Sequence, residues 1–215
     1  MILLADNDLI LKLAQCSLLP DLPQLLGEGA GCPVFVLPTA RFQLIPKSEQ
    51  KALAKAGNEA TLQALRTFLD GASELPEVQD ASLLDAMDGV TGIDGGEQLL
   101  FAAMVELELS TLATGDRRSL QSVLSNQEVL PQVCDALNDR VLTFESAILL
   151  AIREFGFLDV KERLLTCPKP DGMLRLVLRE QMEERDLVDC LVSHCRSQYQ
   201  FLACKDRLAE YFVEV

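Results

Sequence analysis

Short apolar runs that alternate with helical segments are the feature that most restricts the fold of this chain. The runs are only a few residues long, as expected for buried strands, and the segments between them have helical spacing of apolar residues. Strands that are buried on both faces and joined through helices form parallel sheets. We therefore predict an α/β fold, a three-layer α/β/α arrangement with a central parallel sheet of four to five strands. The predicted strands are residues 2–5, 34–37, 110–114 and 141–144, and the predicted helices include residues 7–18, 47–69 and 117–124.

The character of the sequence changes after Gly156, where strand patterns give way to helical ones of mixed charge. A chain of 215 residues has room for one medium domain and a small addition. We predict an α/β domain over residues 1–156 and a helical C-terminal extension over residues 157–215. The helical runs of the extension are residues 157–165, 171–196 and 198–213.

Three acids stand where a parallel sheet would bring carboxylates together. Asp6 ends the apolar run of the first strand, Asp116 follows another, and Glu97 stands at the start of a helix between them. Ligands of open parallel sheets bind in the crevice beyond the carboxyl ends of the strands. Carboxylates that met there would repel one another unless a divalent cation lay among them. The pattern therefore predicts a magnesium or manganese site.

Net charge limits the kind of partner that the chain can bind. At −14, the protein should not present a broad surface for nucleic acid. Residues 1–158 hold 22 acids and 10 bases, and residues 159–215 hold 11 and 9. A polyanion would therefore have to bind locally, through metal ions and a few positioned bases.

The remaining composition favours a protein without a membrane segment. Asp6 and Asp8 interrupt the apolar N-terminus, so it does not resemble a signal peptide, and no apolar run is long enough to cross a membrane. The seven cysteines are odd in number and dispersed, which favours reduced thiols in a cytoplasm.

Three segments resemble the acidic motifs of the PIN domain family of metal-dependent ribonucleases. They are ILLADNDLILKLA, IDGGEQLLFAAM and LATGDRRSL, which occur in the order of that family and span about residues 1–155. The resemblance implies a PIN-like fold and hydrolysis of RNA phosphodiester bonds by metal-activated water. It also implies that Asp6, Glu97 and Asp116 are the catalytic metal ligands, and that Mg2+ or Mn2+ is the cofactor.

The resemblance extends to side chains around these ligands. Asp8 would orient Asp6 or hold a water of the outer shell, and Asp94 would do the same beside Glu97. Ser119 would donate to a metal-bound water. The pattern departs from that of the family in two places. No acid follows the second strand, and the stretch after Asp116 holds Arg117, Arg118 and Ser119 where many members of the family have a fourth acid. This departure favours a site with a single ion, or one without activity.

Basic residues near the motifs have two interpretations each. Arg117 and Arg118 could bind a phosphate of the substrate, or could belong to a solvated helix face. Arg41 lies near the expected mouth of the site. The helical segment with Lys51 and Lys55 could follow a nucleic-acid backbone, or could be an ordinary amphipathic surface helix.

Each acid also has an ordinary structural explanation. Asp6 could simply cap the helix that follows it. Glu97 suits the first turn of a helix because of the macrodipole, and Asp116 suits a turn. The functional interpretation depends on all three acids lying at the same edge of one sheet, at the end of a strand or the start of a helix.

Three functions follow from these patterns. The first is a metal-dependent endoribonuclease, toxin-like or defence-related, that is held in check by an inhibitory protein partner; a homodimer is compatible with the family. The second is an inactive PIN-like scaffold that binds a protein or RNA. The third is a phosphatase of the haloacid dehalogenase type, which would form a phosphoenzyme at Asp6.

Overall fold

The computed structural model describes residues 1–29 and 31–212, and its centre is one five-stranded parallel sheet. The strand order is β3-β2-β1-β4-β5, and every neighbouring pair is parallel. The predicted α/β fold with a parallel sheet is confirmed. The strands are β1 Ile2–Ala5, β2 Val34–Val36, β3 Ser73–Glu74, β4 Ser110–Thr114 and β5 Val141–Thr143.

Helices surround the sheet and form most of the C-terminal extension. None of the described helices is both long enough and apolar enough to cross a membrane. Short 3-10 helices occur at Leu19–Asp21 and Arg196–Phe201. The α-helices before the extension are α1 Asn7–Gln15, α2 Leu22–Leu25, α3 Ala40–Leu44, α4 Glu49–Ala56, α5 Glu59–Gly71, α6 Ala81–Met87, α7 Gly95–Glu106, α8 Arg117–Ser125, α9 Pro131–Leu137 and α10 Phe144–Phe155. Those of the extension are α11 Phe157–Leu165, α12 Leu174–Val177, α13 Glu184–Cys195 and α14 Lys205–Phe212.

Two hydrophobic clusters cover the two faces of the sheet. Successive residues of β1 point to opposite faces, so Leu3 belongs to one cluster and Leu4 to the other. Helices α1, α5 and α10 pack on the first face, and α7, α8 and α9 pack on the second. This separation follows from right-handed crossovers between parallel strands. Connections to strands on one side of β1 place their helices on one face of the sheet. Connections to strands on the other side of β1 place their helices on the opposite face.

The edge strand β3 was not predicted from the sequence. It lies in the acidic segment that follows α5, and it pairs with β2 through only two residues, Ser73 and Glu74. Both side chains are exposed, so the strand has no apolar pattern to reveal it. Only the backbone ladder defines this strand.

Two breaks divide the long predicted helices. The segment 47–69 is divided at Gly57 and Asn58: Gly57 has a φ of 100°, and the Asn58 side chain accepts a hydrogen bond from the Thr61 amide at 2.7 Å. The predicted run 171–196 is also interrupted, between α12 and α13. There Met182 is buried, and its carbonyl accepts a hydrogen bond from Lys161 at 2.8 Å.

The C-terminal extension shares the core of the sheet. Leu187 and Leu191 of α13 are fully buried in the cluster that contains Ile148 of α10. The amide of Ala203 donates to the Val141 carbonyl at 2.7 Å, so the extension also continues the edge of the sheet beyond β5. The described part of the extension therefore folds onto the α/β layers.

The turn at Gly57 packs against Pro168 of the extension, and this contact can be tested. A Cβ at Gly57 would lie 2.7 Å from the Pro168 Cβ, and the positive φ disfavours any other residue. We expect Gly57→Ala to lower the free energy of unfolding by about 1 to 3 kcal/mol, measured by chemical denaturation. Gly71→Ala is the matched control, because a Cβ at Gly71 meets nothing within 4 Å. It should raise stability by about 0.4 to 1 kcal/mol. Equal effects in the two variants would contradict the packing described here.

Candidate functional site

The candidate site is a cleft at the carboxyl edge of the sheet, where the strand order reverses between β1 and β4. The chain leaves β1 toward one face and β4 toward the other, which opens a crevice between the two strand ends. The cleft has a volume of about 790 Å³, within the usual range of ligand sites. The acids that the sequence placed in a site all line it: Asp6, Asp8, Asp94, Glu97 and Asp116.

Asp6 lies between the end of β1 and the start of α1. Its backbone continues the sheet by donating to the Ala113 carbonyl at 2.9 Å, and its carboxylate caps α1 by accepting from the Asp8 amide at 3.3 Å. Burial raises the pKa of Asp6 to about 6, and the neighbouring charge of Asp8 adds to the shift. Near neutral pH, this carboxylate therefore binds a proton or a cation more readily than an exposed one.

Glu97 and Asp94 form a capping box at the start of α7. The Asp94 carboxylate accepts from the Glu97 amide at 3.0 Å, and the Glu97 carboxylate accepts from the Asp94 amide at 2.7 Å. Glu97 is only 8% exposed. Burial raises the pKa of Glu97 to about 7, and the charges of Asp116 and Asp94 contribute to the rise.

Asp116 caps α8 and forms an ion pair with Arg118. Its carboxylate accepts from the Arg118 amide at 2.7 Å and lies 3.0 Å from the Arg118 guanidinium. Burial would raise the pKa of Asp116, but hydrogen bonds and charge from Arg118 outweigh burial and lower it. The buried Ser119 hydroxyl donates to the Asp116 carbonyl at 2.9 Å.

Asp8 connects the cleft to the C-terminal extension. Lys12, one turn along α1, lies 2.8 Å from the Asp8 carboxylate and 3.0 Å from that of Asp171. A Cβ at Gly115 would lie 2.3 Å from Asp8 Oδ2, so a larger residue at position 115 would displace the Asp8 carboxylate. The position of the Asp8 carboxylate therefore depends on the glycine at the end of β4.

An amide pair, which the sequence did not predict, and Lys55, which it offered only as part of a basic helix, complete the lining of the cleft. The Asn7 amide donates to the Gln43 side chain at 2.7 Å, and Lys55 donates to the Gln43 carbonyl at 2.6 Å. No described residue donates to the buried Asn7 Oδ1. Asn7 stands between the predicted site residues Asp6 and Asp8, and only this position in the sequence indicated that it could belong to the site.

None of the three arginines predicted to bind substrate lines the cleft itself. Arg41 forms an ion pair with Asp70 at 2.8 Å and borders a different cavity. The Arg117 side chain lies 3.5 Å from Glu145 on α10. Arg118 is 88% exposed and borders a smaller adjoining cavity that shares Asp94, Glu97 and Asp116 with the cleft.

The acids do not form a closed metal site with the side chains as they lie. Among residues 1–29 and 31–212, no three histidine, cysteine, aspartate or glutamate side chains are close enough to hold one ion. Asp6, Asp94 and Asp116 each point a carboxylate oxygen at backbone amides of their own helix. The donor chemistry still suits Mg2+ or Mn2+, because these ions accept hard oxygen ligands and Mg2+ keeps several waters.

Comparisons of this chain with protein-family profiles, with curated proteins and with solved structures found no match. The assignment of the site therefore rests on its geometry and charge.

The raised pKa of Glu97 predicts how stability depends on pH. The folded protein binds a proton at Glu97 that the unfolded chain releases near pH 4.5, so wild type loses stability as the pH rises from there to about 7. Glu97→Gln keeps a residue suited to the capping box and removes this titration. In EDTA, the free energy of unfolding of the variant minus that of wild type should increase by about 2 to 3 kcal/mol as the pH rises from about 4 to about 8. Denaturant unfolding at each pH measures this difference. The exposed Glu128→Gln variant should show no such trend, and a flat difference for Glu97→Gln would contradict its burial as an acid.

Proposed function

We propose that this protein is a Mg2+- or Mn2+-dependent endoribonuclease whose site is the cleft between β1 and β4. The observation that carries the proposal is that Asp6, Glu97 and Asp116 come from three separate segments and line one cleft at the reversal of strand order. Buried like charges are costly, so a chain that places several together favours a bound cation.

Two further observations support a cation in this cleft. The pKa of Asp6 is raised to about 6 and that of Glu97 to about 7, chiefly by burial, so each gains from a neighbouring positive charge. The buried Asn7 Oδ1 is a further hard oxygen donor at the cleft that accepts no hydrogen bond from a described residue. Asp6, Glu97 and Asp116 would hold the ion.

The chemistry divides between the ion and the side chains. When bound, the ion lowers the pKa of a water and stabilises charge on the phosphoryl oxygens. With the ion bound, its positive charge would favour the ionised form of Glu97, which is the form that ligates a cation. Arg118 is exposed beside Asp116 and would bind a phosphate oxygen of the substrate. Ser119 holds the first turn of α8 in place and thereby positions Asp116.

The wider setting forms part of the same proposal. A cytoplasmic location suits the seven cysteines, which are all free thiols. An inhibitory protein partner, as in toxin-like or defence nucleases, would act by covering the cleft, and a homodimer is compatible with this arrangement.

An inactive scaffold that binds a protein or RNA is the second candidate, and one observation favours it. The carboxylates of Asp6, Asp94 and Asp116 already serve as helix caps, and Asp116 is also neutralised by Arg118. If capping were their whole role, partner binding would not depend on a metal.

An RNA cleavage assay separates the two candidates. Aspartate and asparagine are nearly equal N-caps, so Asp6→Asn and Asp116→Asn remove charge and keep the helices. We expect cleavage of a mixed RNA pool with Mn2+ or Mg2+, none in EDTA, and a loss of at least about 100-fold in either variant. Asp80→Asn is the matched control, because Asp80 caps α6 and does not line the cleft.

Equal cleavage by wild type and both cleft variants would show that any activity arises elsewhere. Metal-independent binding of RNA or a protein partner, unchanged in Asp6→Asn, would then support the scaffold.

A further inference from the structure

One side of the cleft is basic although the protein is strongly acidic. Residues 39–71 contain five bases and three acids, a local charge of +2 in a chain of −14. This segment forms α3, α4 and α5, and Thr39, Gln43 and Lys55 line the cleft. The basic side therefore lies next to the acids of the proposed active site.

Three lysines of this segment lead away from the cleft, and we call them the lysine track: Lys47, Lys51 and Lys55. Lys55 lines the cleft, Lys51 lies one turn earlier on α4, and Lys47 precedes the helix. Lys51 and Lys55 share a face of the helix because they are four residues apart. Lys47 and Lys51 are exposed.

The other bases of the segment are neutralised, and the lysine track is not. Arg41 forms an ion pair with Asp70, and Arg66 forms a two-pronged one with Glu49 at 2.8 and 2.7 Å. Within residues 1–29 and 31–212, no acidic side chain forms a salt bridge with a lysine of the track. Lys47 and Lys51 therefore keep their positive charge available for a ligand, and Lys55 stays charged while it donates to the Gln43 carbonyl.

An exposed aromatic ring accompanies the track. Phe42 on α3 is 66% exposed, which is unusual for a phenylalanine. Phe42 does not line the cleft itself, but it directly precedes Gln43, which lines the cleft and whose carbonyl accepts a hydrogen bond from Lys55 at 2.6 Å. A ring beside a basic row is the combination by which proteins bind single-stranded nucleic acid, because bases stack on the ring while lysines contact phosphates.

We propose that Phe42 and the lysine track bind a single-stranded stretch of RNA and direct it into the acidic cleft. This inference rests on the proposed nuclease function and names its substrate class. Phe42 stacks on an unpaired base, and Lys47, Lys51 and Lys55 contact phosphates on one side of that base. A duplex would gain much less, because its bases are already stacked and their faces are covered. The local charge also explains how a protein of net charge −14 can bind a polyanion.

Binding of a labelled single-stranded oligouridine in EDTA tests the proposal without cleavage. By fluorescence anisotropy, Phe42→Ala should raise Kd by about 10-fold or more, and Phe42→Tyr should retain wild-type affinity. Phe42→Ala should leave the weaker binding of a duplex of equal length unchanged. Leu109→Ala is the matched control, because Leu109 is an exposed apolar residue that lies outside the cleft, before β4.

Salt dependence tests the lysine track separately. Each phosphate contact on a single strand contributes about −0.7 to the slope of log K against log salt, so Lys47→Gln/Lys51→Gln should reduce the slope by about 1.4. Arg185→Gln/Arg196→Gln removes two charges from exposed positions of the extension and should leave the slope unchanged.

The outcomes separate this inference from the nuclease proposal. If the Phe42 and lysine effects occur but wild type never cleaves RNA, the binding surface stands and the nuclease proposal fails. If wild type cleaves RNA but neither variant changes Kd, the binding surface is overturned. Equal losses of affinity in the control variants would also overturn it. So would equally tight binding of polyglutamate through the same residues, because the track would then be a site for acidic peptides.

Discussion

The pairing of β1 on both of its edges is the constraint on which the rest of the structure depends. Ile2–Ala5 pairs with β2 on one side and with β4 on the other, and Leu3, Leu4 and Ala5 are fully buried. Because every pair is parallel, each connection must cross a face of the sheet, and the crossings change face between β1 and β4. The cleft is the result of this change, so its position is fixed by topology and not by loop sequence.

The acids of the cleft show that a structural role and a chemical role need not exclude each other. Asp6, Asp94 and Asp116 are N-caps, a role that the sequence analysis allowed for Asp6 alone. Because the three capping residues line one cleft, the N-termini of α1, α7 and α8 meet there. The dipoles of these helices favour negative charge in the cleft. The same dipoles would help to hold a phosphate, which makes the caps part of the electrostatics of the proposed site.

The sequence predicted what local patterns can encode, and it missed what depends on distant contacts. Strands β1, β2, β4 and β5 had apolar runs, and the acids that follow strands could be placed at one edge. The exposed strand β3 had no such run. The ion pair of Arg117 with Glu145 and the bridge from Lys12 to Asp171 join residues far apart in the chain, and no local pattern encodes them. Arg41 was expected at the mouth of the site for its position alone, and Asp70 draws it away.

The packing of the extension against α10 has a consequence for the order in which the protein can fold during synthesis. Leu187 and Leu191 cover α10, and Asp171 supplies the second carboxylate beside Lys12 at the rim of the cleft. A ribosome that has released only the five strands has therefore produced a sheet with one face incompletely covered and a rim that lacks one of its charges. The carboxylate of Asp171 joins Lys12 only after residue 171 has emerged, and the cover of α10 is complete only after residue 191. The residues that complete the surroundings of the site are therefore synthesised long after the acids that define it.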